Sequence, residues 1–258
     1  NKLTKNNLAA FTASIFYLFS PYHLIDVHFR ATLGESTIFL ILPLLFYAIT
    51  SYYESKKYIW LIYISLISAL LFLAHPLLAV TSCAVAFLYT LFLYFINKNS
   101  ILLITTIFSL GLGALGSMYM WLPFLLFSNI TYPNPAPNLY FYPFKYLFYS
   151  PWKFGLLFQG PNGELQQIIG YTQLFLVIIS FIGLYKYKIQ SKIKFRYLFW
   201  LIIFLIIVFL TSPFSAFIWK YFPLFWMLLP FGRLLLLISF VTSIIAAYFV
   251  ITFWKSKT

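Results

Sequence analysis

The chain has 258 residues, 63% of them apolar and only 8% charged, against about 45–50% and roughly 25% in soluble domains. Its 17 basic residues face four acids, Asp26, Glu35, Glu54 and Glu164, for a net charge of +13. This composition excludes a soluble enzyme, a disordered chain and a nucleic-acid binder, and apolar runs unbroken for roughly 15–25 residues exclude the alternating strands of an outer-membrane barrel.

The apolar runs predict an all-α, polytopic transmembrane helical bundle of about eight membrane helices, over residues 8–20, 36–53, 58–74, 77–96, 101–127, 168–185, 197–211 and 231–254. Eight helices of about 20 residues would use about 160 residues, close to the whole apolar complement. The first run is short, and its Ser20-Pro21 exit predicts a tilted or partly embedded helix. His75-Pro76 splits residues 58–96, which would otherwise form one overlong helix, because proline lacks the N–H that a continuing helix needs. Gly111, Gly113 and Gly116 in the fifth run predict close helix packing. The lone Cys83 lies inside an apolar run, so there is no disulfide framework and no thiolate metal site.

Alternating the helices across a membrane sorts the charges. With Lys2 and Lys5 in the cytoplasm, Lys56, Lys57, Lys98, Lys186, Lys188, Lys192, Lys194, Arg196, Lys255 and Lys257 fall on the same side, making 12 of the 17 basic residues. The other side holds Arg30, Lys145, Lys153, Lys220 and Arg233. Excess Lys and Arg marks cytoplasmic loops, so the charge is read as a topology signal. His23, His28, His75, Asp26, Glu35 and Glu164 fall on the outer face. Two long segments there, about 128–167 and 212–230, are rich in aromatics and proline and are expected to lie along the membrane surface as helices and loops. No internal repeat is evident, which weighs against an inverted-repeat transporter. The chain reads as one integral membrane domain over 1–258.

The densest polar cluster runs from Pro21 to Glu35. A helix over 22–33 would place His23, Asp26 and Arg30 on one face, at spacings of three and four. Leu24, Val27 and Ala31 would form an apolar strip beside them, as in a helix lying in the interface. Asp26 and Glu35 are candidate proton acceptors and Arg30 a candidate phosphate ligand. The structural alternative pairs Asp26 with Arg30 and sets Glu35 near the start of the second membrane helix, where the dipole favours an anion. His75, at an outer turn, is suited to a sugar hydroxyl or phosphate, or simply to satisfying the turn. His23 and His28 are five residues apart and share no helix face, so no protein-bound metal is expected. Trp152, in Ser150-Pro151-Trp152-Lys153-Phe154-Gly155, suits a sugar face or an interfacial anchor equally. Gln159–Glu164 is turn chemistry, and Asn129-Ile130-Thr131 matches a glycosylation sequon. Lys220 follows Trp219 in the last outer segment. Arg233 opens the final helix after Leu229-Pro230-Phe231-Gly232, where a bound anion would meet both the guanidinium and the helix start. The alternative is a snorkelling arginine.

The order of these pieces resembles one family. An aromatic–Ser20-Pro21-Tyr22 stretch leads to Arg30 and Gly34-Glu35, and His75 follows the third helix. Ser150-Pro151-Trp152 comes next, then a Gly160-Pro161-Asn162 turn, Ser212-Pro213-Phe214-Ser215-Ala216, and Pro230-x-x-Arg233 entering the last helix. Over about residues 15–255 this resembles membrane proteins named for a 6-pyruvoyl-tetrahydropterin synthase-related domain, which are similar to GT-C glycosyltransferases. The resemblance implies transfer of a sugar from a polyprenyl-phosphate carrier on the extracytoplasmic face of a prokaryotic cytoplasmic membrane. It implies a carboxylate as base, Arg30 and Arg233 on the carrier phosphate, and no cofactor beyond the lipid-linked donor. Membrane lipid and the carrier are the expected partners, with a glycan or protein acceptor unspecified. The family's acidic first outer loop is not found here, so the chain is expected to be a fragment lacking N-terminal helices and that loop. The competing readings are a transporter or flippase of lipid-linked glycans and a non-catalytic membrane scaffold.

Overall fold

Each apolar run folds as helix, and most helices begin or end where the sequence supplies a cap. The computed structural model describes residues 5–127, 144–149, 168–187, 189–221 and 231–254, as helices joined by turns with no strand among them. Helix α1 spans Asn7–Leu18 and α2 spans Pro21–Ile25, continued by a π-helical turn over Asp26–Arg30. Then follow α3 (Leu33–Ser55), α4 (Ile59–Ala74), α5 (Pro76–Asn97), α6 (Ser100–Gly116) and α7 (Met118–Leu126). A 3-10 turn at Phe144–Leu147 precedes α8 (Tyr171–Lys186) and α9 (Ser191–Thr211). Two further 3-10 turns, Pro213–Ser215 and Phe231–Leu234, lead into α10 (Ala216–Lys220) and α11 (Leu235–Trp254).

The caps follow side-chain chemistry. The Asn6 side-chain Oδ1 accepts from the Ala9 N–H at 3.0 Å, and that of Asn99 from the Leu102 N–H at 3.2 Å. His75 Nδ1 accepts from the Leu78 N–H at 3.4 Å, with Pro76 in the first turn where its missing N–H costs nothing. Lys56 and Lys98 close α3 and α5 in the left-handed region, at φ 56° and 54°.

Two expected boundaries move. The fifth run is not one helix over 101–127: it breaks at Ser117, whose hydroxyl donates back to the carbonyls of Gly113 and Ala114, both at 3.0 Å. The seventh helix starts at Ser191, so Lys192, Lys194 and Arg196 lie on its first two turns and not in a loop. Lysine and arginine are good helix formers, which lets the helix run past its apolar stretch.

Among the described residues, four helices are long and apolar enough to cross a membrane: Leu33–Ser55, Pro76–Asn97, Ser191–Thr211 and Gly232–Phe253. A fifth crossing arises if Asn7–Leu18 and Pro21–Arg30, bent by 47°, form one broken span. Helices α4, α6 and α8 are apolar but have only 16, 17 and 16 residues, or about 25 Å of rise.

Helix α11 is the axis of the bundle. It is apolar on every face, and 83% of its membrane-length window is buried. Helices α1, α8 and α9 pack around it, while α3 and α5 pack with α4 and α6 alongside. The outer helices leave large apolar stripes uncovered, such as Ile62, Leu66 and Leu70 on α4 and Ile101, Ile104 and Phe108 on α6. In water such stripes would be an aggregation hazard; in a bilayer they face lipid. Of the three glycines expected to permit close packing, only Gly113 does so. A β-carbon there would collide with the Ser65 carbonyl and the Ser68 side chain of α4, whereas Gly111 and Gly116 face open space.

Contacts sort the helix termini into two ends. At one, Gly34 at the start of α3 touches Ala74 at the end of α4, Gly170 before α8 touches Pro21, and Arg233 before α11 reaches Glu35. At the other, Tyr187 meets Phe253 and Tyr197 stacks on Tyr248. Lys56, Lys57, Lys98, Lys186, Lys192, Lys194 and Arg196 belong to this second, basic end, whereas Arg30 and Arg233 belong to the first.

Candidate functional site

The first end brings Asp26 and Glu35 together with Arg30, Arg233 and His75. The local cause is a sharp reversal after the π-helical turn. Ala31 adopts φ 48° and ψ 37°, a left-handed conformation that turns the chain so that α3 starts at Leu33. Glu35, in the first turn of α3, thereby folds back onto Arg30. Gly34 allows this start to sit against α4: a β-carbon there would lie 2.5 Å from the Ala74 carbonyl oxygen.

Arg30 grips Glu35 with a two-pronged fork, Nη1 to Oε2 at 2.9 Å and Nη2 to Oε1 at 2.8 Å. Arg233 Nε reaches the same Oε1 at 3.1 Å from the far end of the chain. The Tyr22 hydroxyl donates to Glu35 Oε2 at 2.7 Å and accepts from Arg30 Nη1 at 2.6 Å. Asp26 pairs with Arg30 at 3.1 Å through Oδ1, which also accepts a short hydrogen bond from the Thr32 hydroxyl. Both carboxylates are buried, at 0% exposure for Asp26 and 1% for Glu35, while the Arg30 and Arg233 side chains keep 16% and 24%. The two acids and two arginines balance in charge.

The two carboxylates differ in what remains to them. Both oxygens of Glu35 are occupied by donors. Asp26 Oδ2 is buried and has no hydrogen-bond partner. Asp26 thus keeps a lone pair without a donor, which Glu35 does not.

His75 joins the group from the α4–α5 turn. Its Cβ lies against Gly34, and Arg233, Glu35 and Arg30 all act on it electrostatically. Burial, and then the neighbouring arginines, push its imidazole below the usual histidine range. Its Nδ1 accepts the α5 cap bond, which places the proton of the neutral ring on Nε2.

The expected shared face of His23, Asp26 and Arg30 forms only in part. Asp26 and Arg30 pair, but His23 Nδ1 lies 2.9 Å from the Leu18 carbonyl oxygen, and its ring packs between Tyr17 and Phe39. The π-helical turn begins at Asp26, which changes the register on which that face depended. Lys220 is exposed at the end of α10 and makes no ion pair with the cluster. Trp152 lies outside the described residues. Tyr22 and Thr32 are the partners that sequence reasoning did not single out. For Tyr22 a signal existed, since Tyr22, Asp26 and Arg30 recur at every fourth position. Among the described residues, no three His, Cys, Asp or Glu side chains converge to hold a metal.

A family model described as "6-pyruvoyl-tetrahydropterin synthase related domain; membrane protein" matches residues 2–257. No curated protein and no solved structure matches the chain.

Proposed function

The chain belongs to the 6-pyruvoyl-tetrahydropterin synthase-related family of membrane proteins, and from that premise we propose that it acts as a GT-C-like glycosyltransferase using a polyprenyl-phosphate-linked sugar. One observation carries the reading. In a nearly chargeless bundle, Asp26, Arg30, Glu35 and Arg233 meet beside His75 at the end opposite the lysines. The basic end faces the cytoplasm, so the cluster lies at the outer interface. A polyprenyl phosphate with its tail in the bilayer presents its phosphate at that depth.

In this reading Arg30 and Arg233 exchange Glu35 for the carrier phosphate. Asp26 Oδ2 takes the proton of the acceptor hydroxyl as that oxygen bonds to the sugar's anomeric carbon. The bond from that carbon to the carrier phosphate breaks, and the arginines hold the departing anion. A second reading, a non-catalytic scaffold, draws on a specific observation: every oxygen of Glu35 is already held, as in a permanent clasp.

Reconstitution of the full-length protein in liposomes with a polyprenyl-phosphate-linked sugar separates the two. Asp26→Asn should abolish transfer while the carrier still binds. Arg233→Ala should weaken carrier binding by about tenfold to a hundredfold, from the roughly 1.5–3 kcal/mol of a charge-assisted contact. Arg233→Lys should recover only part of that loss, since it lacks the bidentate fork. Unaltered transfer in both Asp26→Asn and Arg233→Ala would exclude this site. A wild-type protein that neither binds carrier nor transfers sugar would favour the scaffold.

A further inference from the structure

The acid–arginine cluster sets a condition on the charge of what it binds. Arg30 and Arg233 balance Asp26 and Glu35, and His75, whose imidazole burial pushes below the usual histidine range, adds no charge at neutral pH. The phosphate of a lipid-linked sugar is a diester and brings one negative charge. Its entry would leave the group with one charge too many, and an unpaired charge among packed side chains is strongly disfavoured.

Donor counts separate the two acids. Glu35 accepts two bonds from Arg30, one from Arg233 and one from Tyr22. A phosphate that takes both guanidinium groups leaves it the Tyr22 hydroxyl alone. Asp26 keeps the Thr32 hydroxyl and its contact to Arg30 Nη1. Glu35 cannot withdraw with its backbone, because Gly34 seats the start of α3 against the Ala74 carbonyl, and the residue is only 1% exposed. Among the described residues, the groups that face it are Tyr22, Asp26 and Arg30 from α2 and its π-helical turn, His75 from the α4–α5 turn, and Arg233 from the turn before α11. Building on the carrier reading above, we propose that the carrier phosphate enters together with one proton, which neutralises the displaced Glu35 carboxylate. The proton comes from solvent and bonds to an oxygen that the arginines have released. Asp26 stays ionised and free to act as base. Binding therefore tightens as the pH falls, by up to about tenfold per pH unit for one proton taken up.

Farnesyl methyl phosphate is the probe: it has a lipid tail and a diester, and lacks the second ionisation of a phosphate monoester at roughly pH 6. Calorimetric titration of the full-length protein in detergent, in two buffers of different ionisation enthalpy, counts the protons. Wild type should take up about one proton per probe bound. Glu35→Gln should take up none and bind with an affinity independent of pH, whereas His75→Asn should still take up the proton. An infrared difference spectrum of wild type should gain the C=O stretch of a protonated carboxyl on binding, and Asp26→Asn should keep that band. This readout stands even where Glu35→Gln does not fold. Binding without proton uptake would overturn the proposal and leave the carrier reading intact. So would loss of uptake in His75→Asn, or of the carboxyl band in Asp26→Asn. A protein that binds the probe at no pH would refute the carrier reading itself, and the proposal with it.

Discussion

Glu35 is the hub on which the acid–arginine cluster turns, because two guanidinium groups and a phenol converge on one buried carboxylate. Removing a charge from such a group strands its partners. Glu35→Gln should therefore destabilise the protein by about 3–5 kcal/mol, measured by reversible unfolding in mixed micelles. Tyr22→Phe leaves every charge in place but removes the hydroxyl that bridges Arg30 and Glu35, and should cost about 1.5–3 kcal/mol. His75 carries a different prediction. Its imidazole is held below the usual range, so the unfolded chain binds the proton first. Its contribution is complete above the unfolded pKa of about 6.5 and is lost as the pH falls through that value towards the lower folded one. Protonation at Nδ1 also removes the α5 cap, a loss of about 1 kcal/mol. His75→Asn keeps a capping oxygen that does not titrate. It should flatten the fall in melting temperature between pH 7.5 and 5; an unchanged slope would assign the pH dependence to other groups.

At the scale of the helices, close approach decides which glycines matter. Gly113→Ala drives a β-carbon into the backbone of α4 and should cost about 1–3 kcal/mol by overpacking. Gly111→Ala, two residues earlier on an exposed face of the same helix, meets nothing within 4 Å. It should stabilise by about 0.5–1 kcal/mol through helix propensity alone. Opposite signs from two neighbouring glycines, measured side by side in one unfolding assay, check the α4–α6 contact directly. The sequence offered all three glycines as equivalent, because a run of apolar residues does not say which face of α6 meets α4.

For the molecule as a whole, the segregation of charge predicts a topology. With the basic end in the cytoplasm, Gln190, between α8 and α9, and Phe214, beyond the end of α9, lie on opposite faces. Gln190→Cys and Phe214→Cys should label from opposite sides of sealed vesicles with an impermeant maleimide, and labelling of both from one side would refute the arrangement. Cys83 does not interfere: it lies mostly buried beside Ser68 in the helix packing.

Helix existence was legible because it rests on a one-dimensional property. Apolar side chains near bilayer length, broken by Pro21, Pro76, Asn99 and Gln190, specify helices whatever surrounds them. The positions of Asp26, Arg30, Glu35, His75 and Arg233 at helix ends were legible for the same reason. Three features needed the third dimension. Arg233 lies 198 positions from Glu35, and only the packing of α3 against α11 closes that distance. The π-helical turn at Asp26–Arg30 displaced His23 from a face that straight helical spacing had granted it. The difference between the two acids came last: both are buried, but donors reach both oxygens of Glu35 and only one of Asp26. Hydrophobic length is written locally along a chain, but which donors surround a carboxylate is set by side chains from several helices, and only their packing determines it.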